Sequence, residues 1–200
     1  MSFADMFLEE AAAICARIDR AAAERMAEIL ADCRAAEGRV FVLGVGGSAA
    51  SASHLVNDLR KIASLETYAP TDNVAELTAR TNDEGWATTF SAWLKGSRLD
   101  TRDVVFILSV GGGDAERNIS PNLVKALELA REVGSKIIGV VGRDGGYTAK
   151  VADACVIIPV VASERITPHT ESFHSVIGHL LVSHPKVQAA TTKWESAVKK

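Results

Sequence analysis

Cysteine, proline and aromatic residues are all scarce in this chain, and each scarcity excludes something. The three cysteines, Cys15, Cys33 and Cys155, are an odd number with no C-x-x-C spacing, so neither a disulfide framework nor a cysteine-based metal knuckle is expected. They read as small apolar fillers in a reduced compartment. Only five prolines are present, and no linker, low-complexity stretch or short-period repeat breaks the chain, so one domain spanning 1–200 is expected. No apolar run approaches a membrane span, and the opening MSFADMFLEE is too acidic for a signal peptide. Basic excess is missing as well: 22 Lys and Arg against 25 Asp and Glu leave a net charge of −3, which argues against nucleic acid as a partner. The expectation is a soluble cytoplasmic protein with neither nucleic-acid nor membrane partners.

The chain begins with Ala-rich helix over residues 2–37, as one helix or two with a bend near Asp19, closed by Gly38. This is an N-terminal arm, placed either on its own sheet or against another subunit. The stretch from Arg39 to Lys61 organises the rest of the chain. The apolar run Val40-Phe41-Val42-Leu43 meets Gly44, Gly46, Gly47 and Ser48, then a helical stretch, an order that describes a strand, a tight turn and a helix N-terminus suited to an anion. Glycines here also suit a plain strand-to-helix turn. On that helix His54 and Asp58 stand four apart and share one face.

A weak strand is expected over Leu65–Ala69, short helices over Val74–Ala79 and Trp86–Lys95, and a polar loop between them carrying Asn82 and Asp83. Asp103–Ser109 is a continuous β-branched and aromatic run, the signature of a strand buried on both faces. It leads into a second glycine loop, Val110 to Ile119, after which Ser120-Pro121 opens a helix ending at Gly134. Lys136–Val141 and Ala154–Val160 are further strands, the last near a sheet edge because of Pro159. Strands alternating with helices predict an α/β fold, a three-layer αβα sandwich with a parallel, flavodoxin-like sheet of about five strands. The final helix, beginning after Pro168, carries Glu171, His174 and His179; Glu171 and His179 are eight apart, close to two turns, and share a face. His169, His174 and His184 read as hydrogen-bonded structural or surface residues, and His179 as a core histidine unless Glu171, His54 and Asp58 converge on it.

Together these motifs resemble the sugar isomerase (SIS) domain family, and within it the phosphoheptose isomerases, over essentially the whole chain. The family's Gly-Asn-Gly-Gly-Ser loop stands here as Gly44-Val45-Gly46-Gly47-Ser48, its His-x-x-x-Glu as His54 and Asp58, and its Asn-Asp pair as Asn82-Asp83. Its second phosphate loop corresponds to Ser109-Val110-Gly111 and Ser120, and its Gly-Lys-Asp-Gly-Gly turn to Gly142-Arg143-Asp144-Gly145-Gly146. Its Arg-Ile-Gln-Glu-x-His…His ending is echoed by Arg165-Ile166, Glu171, His174 and His179. The chain departs in having Asp58 for a glutamate, Val45 for an asparagine, Gly111 for a serine, and several residues inserted between Ser109 and Ser120, among them Asp114, Glu116 and Arg117.

The resemblance implies an aldose–ketose isomerase converting sedoheptulose 7-phosphate to D-glycero-D-manno-heptose 7-phosphate for surface polysaccharide synthesis. Asp58 would be the base and His179 its acid–base partner, with Gly46, Gly47, Ser48, Asn82, Asp83, Ser109, Gly111, Ser120 and Glu171 binding substrate. It also implies zinc on His54, Asp58, Glu171 and His179, and a homotetramer with sites at subunit boundaries. Arg117 would add a guanidinium fork for the phosphate. Non-catalytic relatives define the alternative, an oligomeric binding protein of the replication-initiator-associating type or a sugar-phosphate sensor.

Overall fold

The computed structural model describes residues 1–197; Lys199 and Lys200, which read from the sequence as a solvated tail, lie outside the described residues. Five strands pair in parallel in the order β2-β1-β3-β4-β5, with β1 at Arg39–Leu43, β2 at Glu66–Tyr68, β3 at Val104–Ser109, β4 at Lys136–Val141 and β5 at Ala154–Ile157. The register sets Val40 beside Val104 and Ile107 beside Gly139. Side chains on a strand alternate between faces. Val40 and Val42 therefore enter one core with Phe106, Leu108 and Val140, while Phe41 and Leu43 enter the other with Val105, Ile107 and Ile137. Every residue of β3 is buried, as its unbroken apolar run requires.

Helices close both faces. The first core is covered by α2 (Arg20–Ala35), α3 (Gly47–Lys61) and α8 (Ile166–Ser183), the second by α5 (Thr89–Gly96) and α6 (Pro121–Val133). This is the three-layer α/β sandwich expected. The arm is two helices: α1 (Phe3–Arg17) opens with a Ser2–Asp5 capping box, and Asp19 caps α2 by accepting the Ala22 N–H at 3.1 Å. Within the chain α1 is fastened to α8, where Glu10 receives Arg165 Nε and Nη2 at 2.8 and 2.6 Å, lies 2.7 Å from His169 Nε2, and Phe7 stacks on that imidazole.

Several boundaries differ from expectation for local reasons. Helix α4 runs Val74–Asp83, so Asn82 and Asp83 are helical and not in a loop; Asn73 caps its start, and Gly85 at φ +85° stands just beyond its end. Helix α5 starts at Thr89, three residues after Trp86. Helix α8 starts at Ile166, with Pro168 inside its first turn, where a missing N–H breaks no helical bond. Strand β5 ends at Ile157, short of Pro159. Ser120 precedes α6 but is left-handed, φ 49°, and its hydroxyl makes no capping bond. Cys33 is buried and Cys155 partly so, whereas Cys15 is exposed and fills nothing.

Sequential strands run outward in both directions from the β1/β3 pair. Connections leaving their carboxyl ends therefore part, and the crevice between them is where ligands bind in such sheets. The two glycine loops, Gly44–Gly47 and Ser109–Gly113, leave the sheet at this point.

Candidate functional site

The first loop is shaped by glycine sterics. A Cβ on Gly44 would stand 2.4 Å from the Ser48 carbonyl oxygen, and Gly46 adopts φ 63°, ψ −126°, a region closed to other residues. The chain thereby turns from β1 directly into α3, whose N-terminus has no side-chain cap and leaves its first N–H groups to a ligand. The Glu171 carboxylate from α8 lies across Gly47, its oxygens 2.5 and 2.6 Å from where a Cβ would be.

Helices α3 and α8 lie side by side in the same direction: Glu171 meets Gly47 at one end, and His179 meets Asp58 further along. Asp58 Oδ2 lies 3.2 Å from His54 Nε2 and 3.5 Å from His179 Nε2, the two rings standing edge to face at 5.2 Å. The Asp58 side chain is 12% exposed, the two imidazoles 54% and 56%, so a nearly buried carboxylate carries two rings open to solvent. Asn57 Nδ2 donates to its Oδ1 at 2.9 Å. Gly178 stands where the two helices meet, and a Cβ there would lie in ordinary contact with Leu55 Cδ1 at 3.4 Å.

One donor atom each from His54, Asp58 and His179 lie within 4.8 Å of one another. Two imidazole nitrogens and a carboxylate oxygen, with an open side, form a three-ligand set of the kind that holds catalytic zinc. Glu171 is not part of it. Eight helical residues separate it from His179 by about 12 Å, and its carboxylate is at the Gly47 end. Three of the four expected ligands are thus brought together and the fourth is not.

His174 lines the groove between α3 and α8 together with His54, Asp58 and His179, a place its reading as a structural or surface residue did not give it. It is 2% exposed, and among the described residues neither ring nitrogen has a partner in full hydrogen-bond geometry. Burial holds it neutral, with a pKa pushed down to about 4, opposed by the nearby Val140 carbonyl. His169 and His184 behave as expected, paired with Glu10 and Glu24. His179 is no core histidine: Val176 and Leu180 beside it are also exposed.

At the second loop Ser109 is buried and its hydroxyl accepts the Gly112 N–H at 3.0 Å. Gly111 is half-buried against the Arg143 side chain. The Arg117 guanidinium is tied through Nε to Asp114 Oδ2 at 2.7 Å, so it is not a free fork. Asn82 and Asp83 bond to each other on an exposed surface, Nδ2 to Oδ1 at 2.7 Å.

Residues 6–142 match the SIS domain family. The phosphoheptose isomerase of Rhodospirillum rubrum is 37% identical over 166 residues, 80% of this chain and 82% of that one. The phosphoheptose isomerase of Syntrophotalea carbinolica is 34% identical over 82% of this chain and 83% of its own. The structure of phosphoheptose isomerase GmhA from Neisseria gonorrhoeae superposes with a TM-score of 0.78 at 27% identity, covering 90% of this chain and 94% of that one. With its parallel sheet, paired glycine loops and matching residues, this chain belongs to the SIS domain family. Within that family it is a divergent member of the phosphoheptose isomerase group and an enzyme, a phosphosugar isomerase. Among the described residues no helix is long and apolar enough to cross a membrane.

Proposed function

We propose that this isomerase interconverts sedoheptulose 7-phosphate and D-glycero-D-manno-heptose 7-phosphate through an enediol. The observation that carries the reading is the nearly buried Asp58 carboxylate held within 3.2 and 3.5 Å of two solvent-open imidazoles. Moving a proton between C1 and C2 needs a base at one carbon and a donor at the neighbouring oxygen, both within hydrogen-bond reach. Asp58 takes the proton from one carbon and returns it to the other, while His179 passes a proton between the two oxygens. His54 orients the carboxylate. The uncapped N-terminus of α3, with Gly46, Gly47 and Ser48, receives an anionic or oxygen-rich part of the substrate, as do Ser109, Gly111 and Ser120 across the crevice. Glu171 accepts from substrate hydroxyls, and Asn82 and Asp83 complete the set.

His54, Asp58 and His179 would hold a divalent cation such as zinc, which supplies polarisation of the substrate carbonyl and stabilisation of the enediolate. The working form is a homotetramer in the cytoplasm, built from one domain per chain; the exposed Val176 and Leu180 flanking His179 support a boundary with another copy beside this site.

A coupled assay on sedoheptulose 7-phosphate, run with and without zinc, tests the reading. Turnover abolished by Asp58→Ala and by His179→Ala sustains it. Zinc bound at one per chain without turnover rejects this substrate, and no turnover with no metal turns the reading to a non-catalytic binding protein.

A further inference from the structure

The insert after β3 builds a second concavity, displaced from the β1/β3 crevice toward β4. Its wall is set in place by the fold. Gly112 and Gly113 are left-handed, φ 68° and 78°; the Gly112 carbonyl accepts the N–H and hydroxyl of Thr148 at 2.9 and 2.8 Å, and the Gly113 carbonyl accepts the Tyr147 N–H at 2.8 Å. Asp114 and Ile119 exchange two backbone bonds at 2.9 and 3.0 Å. The Asp114 carboxylate takes the N–H groups of Glu116 and Arg117 at 3.0 and 2.8 Å. The turn is a hydrogen-bonded rim fastened to the start of α7 (Gly146–Val151).

Between rim and α7 lies a cavity of about 550 Å³, lined by Asp114, Glu116, Arg117, Asp144, Tyr147 and Lys150. That size suits a small molecule. Asp114 and Arg117 neutralise each other, and one Asp144 oxygen receives the Gly146 N–H at 3.2 Å. Among the described residues the Glu116 carboxylate, the Tyr147 hydroxyl and the Lys150 ammonium have no hydrogen-bond partner. Three carboxylates against two cations repel a phosphate. Nor do these carboxylates converge on a cation: among the described residues, a metal-type cluster forms at His54, Asp58 and His179 and not here. Charged groups of both signs around one cavity suit a ligand rich in hydroxyls, since each hydroxyl both donates and accepts and so satisfies a carboxylate and an ammonium together.

We propose that this cavity is a carbohydrate subsite that takes the hydroxyls of an uncharged sugar or polyol chain between Glu116, Asp144, Tyr147 and Lys150. The occupant is either a separate sugar molecule or the hydroxyl-bearing middle of the enzyme's own substrate chain, and only the second source rests on the isomerase reading. Ala115 also lines the cavity and is exposed, so Ala115→Trp fills the space without touching the core. Backbone amide shifts at Gly113 and Tyr147 are followed while D-mannose, D-sorbitol or inorganic phosphate is added to the full-length protein. Saturable shifts with the neutral sugars, absent with phosphate and lost in Ala115→Trp and in Glu116→Ala/Lys150→Ala, identify a separate sugar. Where free sugars leave the amides unmoved, a KM in Ala115→Trp raised about tenfold, roughly 1.4 kcal/mol, for a seven-carbon ketose phosphate but not for a six-carbon one, with kcat retained, identifies the substrate's own chain. Unmoved amides together with no chain-length-dependent change in KM overturn the proposal, as does saturation by phosphate in preference to sugar. Should the wild type isomerise no sugar phosphate, the isomerase reading fails, while the sugar titration alone still decides the cavity.

Discussion

Replacing Asp58 by Asn separates a catalytic carboxylate from a structural one. At 3.2 Å from His54 Nε2, a full ion pair at an effective dielectric constant of ~20 would be worth ~5 kcal/mol. Both imidazoles are more than half exposed, and solvent screening brings pairs of that kind to about 1 kcal/mol or less. Asn is isosteric and keeps an oxygen for the Asn57 amide, so the variant should unfold in urea within about 1 kcal/mol of the parent. The loss of a general base, in contrast, removes roughly 10²- to 10⁴-fold of rate. Urea unfolding and initial-rate measurements on the same preparation therefore diverge. A variant that loses several kcal/mol of stability, or one that keeps its full rate, refutes the assignment of Asp58 as the base.

The glycines of the first loop should part in the same way. Gly44→Ala drives a Cβ to 2.4 Å from the Ser48 carbonyl and should cost about 1–3 kcal/mol, whereas Gly47→Ala meets the movable Glu171 carboxylate and should fold nearly normally; equal unfolding midpoints would contradict this. Hydrogen bonds from Arg165 and then His169 hold the Glu10 carboxyl down at about 2. Because the folded value lies below the unfolded one, this clamp stabilises fully above about pH 4.5 and is lost as pH falls through about 2. Melting curves of Glu10→Gln should lose that acid limb. Buried His174 titrates near 4 against a reference of 6.5, so the unfolded chain takes up its proton first and stability falls between pH 6.5 and 4, by about 3 kcal/mol in all. His174→Leu should flatten this limb, and an unchanged pH profile would show that the imidazole is not held neutral.

Much of the architecture was legible in short stretches of chain. The unbroken run of β3, the glycine turn after β1 and the spacing of His54 and Asp58 are properties of neighbouring residues, because strand burial, turn sterics and helical period all act over a few positions. Boundaries were less legible where a single residue decides them: Asn73 and Gly85 set the limits of α4, and Pro168 is absorbed in the first turn of α8. No local pattern contains the distance between elements. Glu171 and His179 look like partners on one helix face, yet the parallel packing of α3 and α8 sends one to Gly47 and the other to Asp58. The same packing exposes His179 and buries His174, and the closed turn of the insert draws Arg117 onto Asp114. Which residue types share a face of each strand and helix was already set by the order of amino acids, because backbone periodicity alone governs it. Which of those faces meet, and therefore which three side chains can act on one atom, was settled when the sheet and its two helical layers closed.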